Sequence, residues 1–154
     1  NVKDEFKPRI LAALGHRRAK EGVSLCVEAM RSPNRDIAVA AVKAFGRIGV
    51  KPAAAPKYPD TKGMTEWQRI DQQDSLLRYA DAQAREGNAA EAIAVYKSVL
   101  SSPEEHWQCA AVIGLAKAGT AEAAALILPK LKSDDPKVRI TAQNAWKSMA
   151  QTKA

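Results

Sequence analysis

Three stretches of the chain repeat one pattern, a Ser-Pro or Ser-Asp start followed by large apolar and Ala positions at helical spacing. They read SPNRDIAVAAVKAFGRIG (residues 32–49), SPEEHWQCAAVIGLAKAG (102–119) and SDDPKVRITAQNAWKSMA (133–150). Aligned on Ser32, Ser102 and Ser133, the pattern superposes Ile37 with Trp107 and Val138, and Ala41 with Ala111 and Ala142. Phe45, Leu115 and Trp146 then coincide, followed by Ile48, Ala118 and Met149. Residues three or four apart share a helix face, so these positions predict one buried stripe per helix. A helix that recurs along a chain buries its stripe against its neighbours in a stack.

Composition agrees with an all-α fold. The chain has 154 residues, enough for one domain that buries about 68–70% of its unfolded surface without metals or disulfides. Apolar residues make up 46% and aromatics only 5%. The abundant Ala favours helix and close helix approach. No stretch alternates apolar and polar residues over a strand's length, and none approaches the roughly 18 apolar residues of a membrane span. The net charge of +7 is concentrated early, since residues 1–50 hold ten Lys/Arg against five Asp/Glu. Arg17, Arg18, Lys20 and Arg35 form the candidate basic patch. It lacks the interleaved aromatics that stack on bases, and a solvated face accounts for it more readily than a phosphate or acidic partner does.

Local signals predict eight helices. The first covers about 3–14, with Phe6, Ile10, Leu11 and Leu14 inward, and stops near Gly15. The second covers about 18–31, burying Val23, Val27 and Met30 together with Leu25 and Cys26. The third starts from a Ser32 cap with Pro33 at its first position and ends at Gly49. Residues 50–63 hold three prolines and read as a loop, either functional or a passive insertion. A Thr65/Gln68 capping box opens helix four, which runs to about Glu86. Asn88 with Glu91 caps helix five (about 89–101), and Ser102 with Glu105 caps helix six. Helix seven (about 121–132) carries an internal Pro129 that kinks it, helix eight spans about 135–150, and residues 151–154 fray. The organisation is then residues 1–49, a loop at 50–63, and 64–154, all within one domain.

The segment VIGLAKAGTAEAAALILPKLKSDDPKVRITAQNAWKSMA resembles the short HEAT-like repeats associated with phycobilisome lyases, through Gly119, Asp134, Pro136, Val138, Arg139, Ala142 and Ala145. The run through Gly15, Pro33, Ile37, Ala41, Phe45 and Gly49 is similar to the same unit. The central SLLRYADAQAREGNAAEAIAVYKSVLSSP is similar to a tetratricopeptide repeat, with Ala80 at its small position, then Gly87-Asn88, Tyr96 and Val99. The resemblance implies a right-handed α-solenoid of about eight antiparallel-paired helices. It also implies an Asp–Arg pair near Asp135 and Arg139, and macromolecular binding.

No spacing for catalysis or metal is present. His16 and His106 lie on different repeats, and Cys26 and Cys109 are far apart, so no catalytic, cofactor-binding or metal residue is assigned. The second helices of such stacks line one common face. That face places Lys43 with Ile113 and Asn144, and Arg47 with Lys117 and Ser148, extended by Gln143 and Lys147. Lys43, Arg47, Lys117, Gln143, Asn144 and Lys147 are the candidate partner surface. The leading expectation is a non-enzymatic interaction scaffold, a module of a larger protein, whose partner carries acidic segments. Nucleic-acid backbone binding through the basic face is the alternative, and tetrapyrrole chemistry at an exposed Cys is a third. Neither partner identity nor compartment follows from the residues.

Overall fold

In a computed structural model, residues 3–152 are described, and they form eight α-helices and no strand. The helices are α1 (Lys7–Arg17), α2 (Val23–Ala29), α3 (Arg35–Ile48), α4 (Glu66–Arg85), α5 (Ala89–Val99), α6 (Glu105–Ala118), α7 (Ala121–Ile127) and α8 (Pro136–Thr152). Among the described residues, no helix is long and apolar enough to cross a membrane. The chain divides into two compact units, residues up to Tyr79 and residues from Ala80 on, with the division inside α4.

The first unit is built around α3. Its apolar stripe is continuous (Ile37, Ala41, Phe45 and Ile48 are all buried), and α1 and α2 pack against it. α3 and α4 run in the same direction, because their contacts advance together. Near both starts, the Gln68 amide donates to Asp36 at 3.1 Å, and further along Lys43 meets Asp71 at 2.8 Å. Beyond these, the ring of Phe45 lies 4.4 Å from that of Tyr79.

Two same-direction neighbours need a return path between them. α3 has 14 residues, about 21 Å at 1.5 Å per residue, and the Pro-rich loop covers that distance before α4 begins. It does so docked on both helices. The Tyr58 ring stands 6.4 Å from Phe45, and the Gln72 side chain donates to the Pro59 carbonyl at 3.0 Å. The length of residues 50–63 is therefore set by the helix they must retrace.

In the second unit, α6 packs against α5, α7 and α8. α6 and α8 also run in the same direction, since Lys137–Glu105 and Thr141–Cys109 are both 32 residues apart in sequence. Here α7 and a 3-10 turn, Leu128–Lys132, make the return. The end of α4 and α5 form an antiparallel hairpin, in which Tyr96 reaches Asp81 and Asn88 reaches Gln83. Tyr96 is fully buried and its ring lies against Gly114 of α6, where no Cβ would fit.

The phenol of Tyr96 donates to Asp81 at 2.6 Å. Burial, and then this bond to a carboxylate, hold its pKa well above the usual range. A raised tyrosine pKa gives a contribution present throughout the neutral range and lost only as pH climbs past the unfolded value near 10. Tyr96→Phe is expected to lower stability by about 1.5–3 kcal/mol in urea denaturation at neutral pH.

Several helix ends differ from the sequence expectation. Gly15 does not stop α1. It lies inside the helix, buried, because a Cβ there would come within 2.8 Å of the Cα of Ala44, and the helix ends instead at Arg18 with φ of 49°. Of the face expected to be buried on α1, only Leu11 is buried, while Phe6 and Ile10 are exposed. α2 is shorter than expected, a 3-10 turn at Lys20–Gly22 replaces its beginning, and Leu25 faces outward.

Ser32 is not the cap of α3. Its hydroxyl accepts from the Asn34 backbone, and Asn34 caps the helix by accepting from Asp36 N–H at 3.0 Å. Asn88 precedes α5 without a side-chain cap bond, its amide being spent on Gln83. Ser102 and Glu105 form no box, because Ser102 bonds Glu104 and Glu105 reaches Lys137. Pro129 does not sit in a kinked α-helix. α7 ends before it, as the missing N–H suits a tighter 3-10 turn at its start. α8 continues to Thr152 rather than fraying from 151, and residues 153 and 154 fall outside the described residues.

Other signals match the structure. Gly49 and Gly119 end α3 and α6 with φ of 69° and 65°. Thr65 and Gln68 exchange both capping-box bonds, at 3.0 and 3.2 Å.

Candidate partner-binding groove

The same-direction packing of α6 and α8 brings side chains from both helices to one groove of about 580 Å³. Ile113 and Ala116 of α6 form an apolar lining with Ala145 and Met149 of α8. Lys117, Asn144 and Ser148 give it polar edges, and the Thr141 hydroxyl, also in the lining, donates to Cys109 Sγ at 3.5 Å. Local sequence sets this up. On α8, Val138, Ala142, Ala145 and Met149 form the buried stripe. Thr141, Asn144 and Ser148 follow one another at spacings of three and four along a flank of it. Gly119 opens one end of the groove because the chain turns there into α7.

The candidate partner residues separate into groups. Lys117 and Asn144 line the groove together with Ile113 and Ser148. Gln143 and Lys147 are exposed on α8 but do not line it. Lys43 and Arg47 belong to the first unit and are engaged by neighbouring helices. Lys43 pairs with Asp71, and Arg47 Nη1 lies 3.2 Å from His16 Nε2. Of the basic patch, Arg17, Arg18 and Lys20 follow one another at the end of α1, all exposed. Arg35 opens α3, its guanidinium beside Gly63. Among the described residues, no hydrogen bond or ion pair joins Arg35 to the other three.

Sequence alignment missed Ala116, Gly119 and Thr141 as lining residues. The α6–α8 contacts step by 32 residues, one more than the step between Ser102 and Ser133, and this shift is not marked in the sequence. Trp146, a core position in the alignment, is 39% exposed. It lies over a small notch of about 160 Å³ shared with Ala124, Met149 and Ala150, because it projects from the side of the α8 stripe. Trp107 is half-buried with the His106 ring 4.5 Å away, and Trp67 is 77% exposed. Among the described residues, no Asp–Arg ion pair forms near Asp135 and Arg139. Arg139 Nη1 donates to the Ser133 carbonyl at 2.6 Å, while Asp135 accepts from the N–H groups of Lys137 and Val138.

Lys137 and Glu105 bridge α8 to α6 at 3.1 Å. The Lys137 hydrogen bond, and then Glu105's own backbone N–H, hold the Glu105 pKa below its ordinary 4.5. A depressed carboxylate pKa stabilises the fold above the unfolded value, and this contribution is lost as pH falls through the folded one. In Lys137→Ala the Glu105 carboxyl is expected to titrate closer to 4.5 when followed by NMR.

Cys26 is buried, and burial pushes its thiol up to about 11, so little thiolate forms at neutral pH. Among the described residues, no three His, Cys, Asp or Glu side chains gather where they could hold a metal ion. No protein-family model matches the chain, and no curated protein matches it.

Proposed function

We propose that this chain is a non-enzymatic helical-repeat scaffold that binds a protein partner through the α6/α8 groove, as a module of a larger protein. In this reading it is a right-handed α-solenoid of the HEAT and tetratricopeptide-like kind. The observation that carries it is the repeated same-direction packing, 32 residues apart at both α6–α8 contacts, which collects Ile113, Lys117 and Asn144 at one surface. An apolar lining with a few polar groups is the usual character of a recognition site. The raised Cys26 thiol speaks against adduct chemistry there.

The test compares proteins captured from source-cell lysate by the wild type, by Asn144→Trp and by Lys117→Glu, with folding checked by circular dichroism. Asn144 is exposed, so the large substitution covers the groove without entering the core. At least one captured protein is expected to disappear with both variants. If both variants retain every captured protein, this surface is the wrong one. Duplex DNA at about 50 mM salt is the companion probe, and binding there that weakens steeply with salt would favour the backbone-binding alternative.

A further inference from the structure

The lining of the α6/α8 groove specifies more than a generic protein surface. Among the described residues its only charged member is Lys117, and no carboxylate lines it. Among the described residues, Lys117 makes no ion pair, whereas Lys43, Lys7 and Lys137 each have one. A partner therefore gains by bringing a negative charge to this edge and loses by bringing a positive one. The apolar side of the lining is also specific. Ile113 is 47% exposed, a large aliphatic side chain left half in water beside Ala116, Ala145 and Met149.

Shape narrows the partner further. Ala116, Gly119 and Ala145 are small, so a visiting backbone can approach closely, as α1 approaches α3 where Gly15 meets Ala44. From Thr141 to Met149 the groove follows α8 for about 12 Å at 1.5 Å per residue. That is about two helical turns, the span of anchors at i, i+3 or i+4, and i+7.

Taking the scaffold reading as given, we infer that the α6/α8 groove receives an acidic amphipathic helix of a partner protein. Its aliphatic side chains cover Ile113, Ala145 and Met149, and a Glu or Asp meets Lys117. Asn144 and Ser148 lie at the polar edge where the helix's hydrophilic flank passes.

The experiment uses two synthetic peptides of about 15 residues, the length at which an isolated helix becomes marginal. Both carry Leu at i, i+3/i+4 and i+7, and they differ only in having Glu or Lys on the flanking positions. Each is titrated into the isotopically labelled full chain. The Glu peptide is expected to shift NMR signals of Ile113, Thr141, Ala145 and Met149 and to bind about tenfold tighter than the Lys peptide, as one charge contact worth 1.4 kcal/mol would give. Lys117→Glu, a change on the exposed rim outside the core, is expected to reverse that order.

Equal binding of both peptides, no shift by either, or shifts confined to other helices would overturn the inference. So would concentration-dependent shifts of the same signals without peptide, which would give the groove to a second copy of the chain. If the capture experiment succeeds while the peptides are not discriminated, the scaffold reading stands and the acidic helix falls. If capture is unchanged by the groove variants, the scaffold reading itself has failed at this surface.

Discussion

Phe45→Ala is expected to destabilise the chain by about 3–5 kcal/mol, the largest effect of any single side-chain truncation in the first unit. Phe45 is fully buried and joins three parts of that unit, since its own helix α3 meets Tyr79 of α4 and Tyr58 of the Pro-rich loop through this one ring. Removing it deletes the transfer contribution and leaves a cavity between two tyrosines that cannot easily close. Tyr79 is itself fully buried, and Tyr58 belongs to a segment tied down at Pro59. Thermal denaturation should show the midpoint lowered by roughly 10 °C. A change below about 1 kcal/mol would mean that the loop and α4 do not share this core. Leu substituted at the same position should recover part of the loss, because most of the apolar volume returns without the ring contacts.

Gly46→Ala is the second large effect, and its sign is opposite to that expected from helix propensity. In an exposed helix interior, Ala in place of Gly stabilises by about 0.5–1 kcal/mol. At position 46 the added Cβ would collide with the Ser75 carbonyl oxygen, with the Ser75 carbonyl carbon only 2.9 Å away. These are backbone atoms of α4, and the Ser75 hydroxyl bonds Asp71 at 2.6 Å, so the turn that must yield is itself braced. The helices must therefore separate. An overpacking cost of about 1–3 kcal/mol, occasionally more, outweighs the propensity gain. Urea denaturation of Gly46→Ala beside the wild type measures the net of the two contributions. Gly46→Ala with wild-type stability or better would show that α3 and α4 are further apart than described here.

Much of this fold was legible in the sequence. The stripe of Ile37, Ala41 and Phe45 recurs as Val138 and Ala142, and each of these residues is buried. Apolar spacing reports a helix face, and that property survives almost any arrangement of neighbours. The Thr65/Gln68 box was legible for a related reason, since both its bonds are local.

What was not legible depended on which helix lies opposite. Gly15 carries the usual mark of a helix end, yet it serves a close approach to Ala44 that no local pattern encodes. Trp146 occupies a core register, but its place on the flank of the stripe leaves it over a notch rather than under a neighbour. Asn88 and Glu105 have capping chemistry, and each is diverted by a partner beyond its own helix start.

The candidate surface divides along the same line. The alignment groups Lys117, Ser148, Ile113 and Asn144, and all four line the one groove, although the helix contacts step by 32 residues rather than the alignment's 31. It placed Lys43 and Arg47 in the same rows without foreseeing that Asp71 and His16 would engage them. Ion pairs across helices depend on the exact rotation of each helix, which periodicity leaves open.

The most direct test is a methyl-resolved nuclear Overhauser spectrum of the labelled chain, read at Ile113. Same-direction packing of α6 and α8 places Ile113 in one lining with Thr141 and Ala145, so cross-peaks to both methyl groups are expected. Cross-peaks from Ile113 to Val138 at the start of α8, with none to Ala145, would contradict the packing and remove the groove on which the proposed recognition depends.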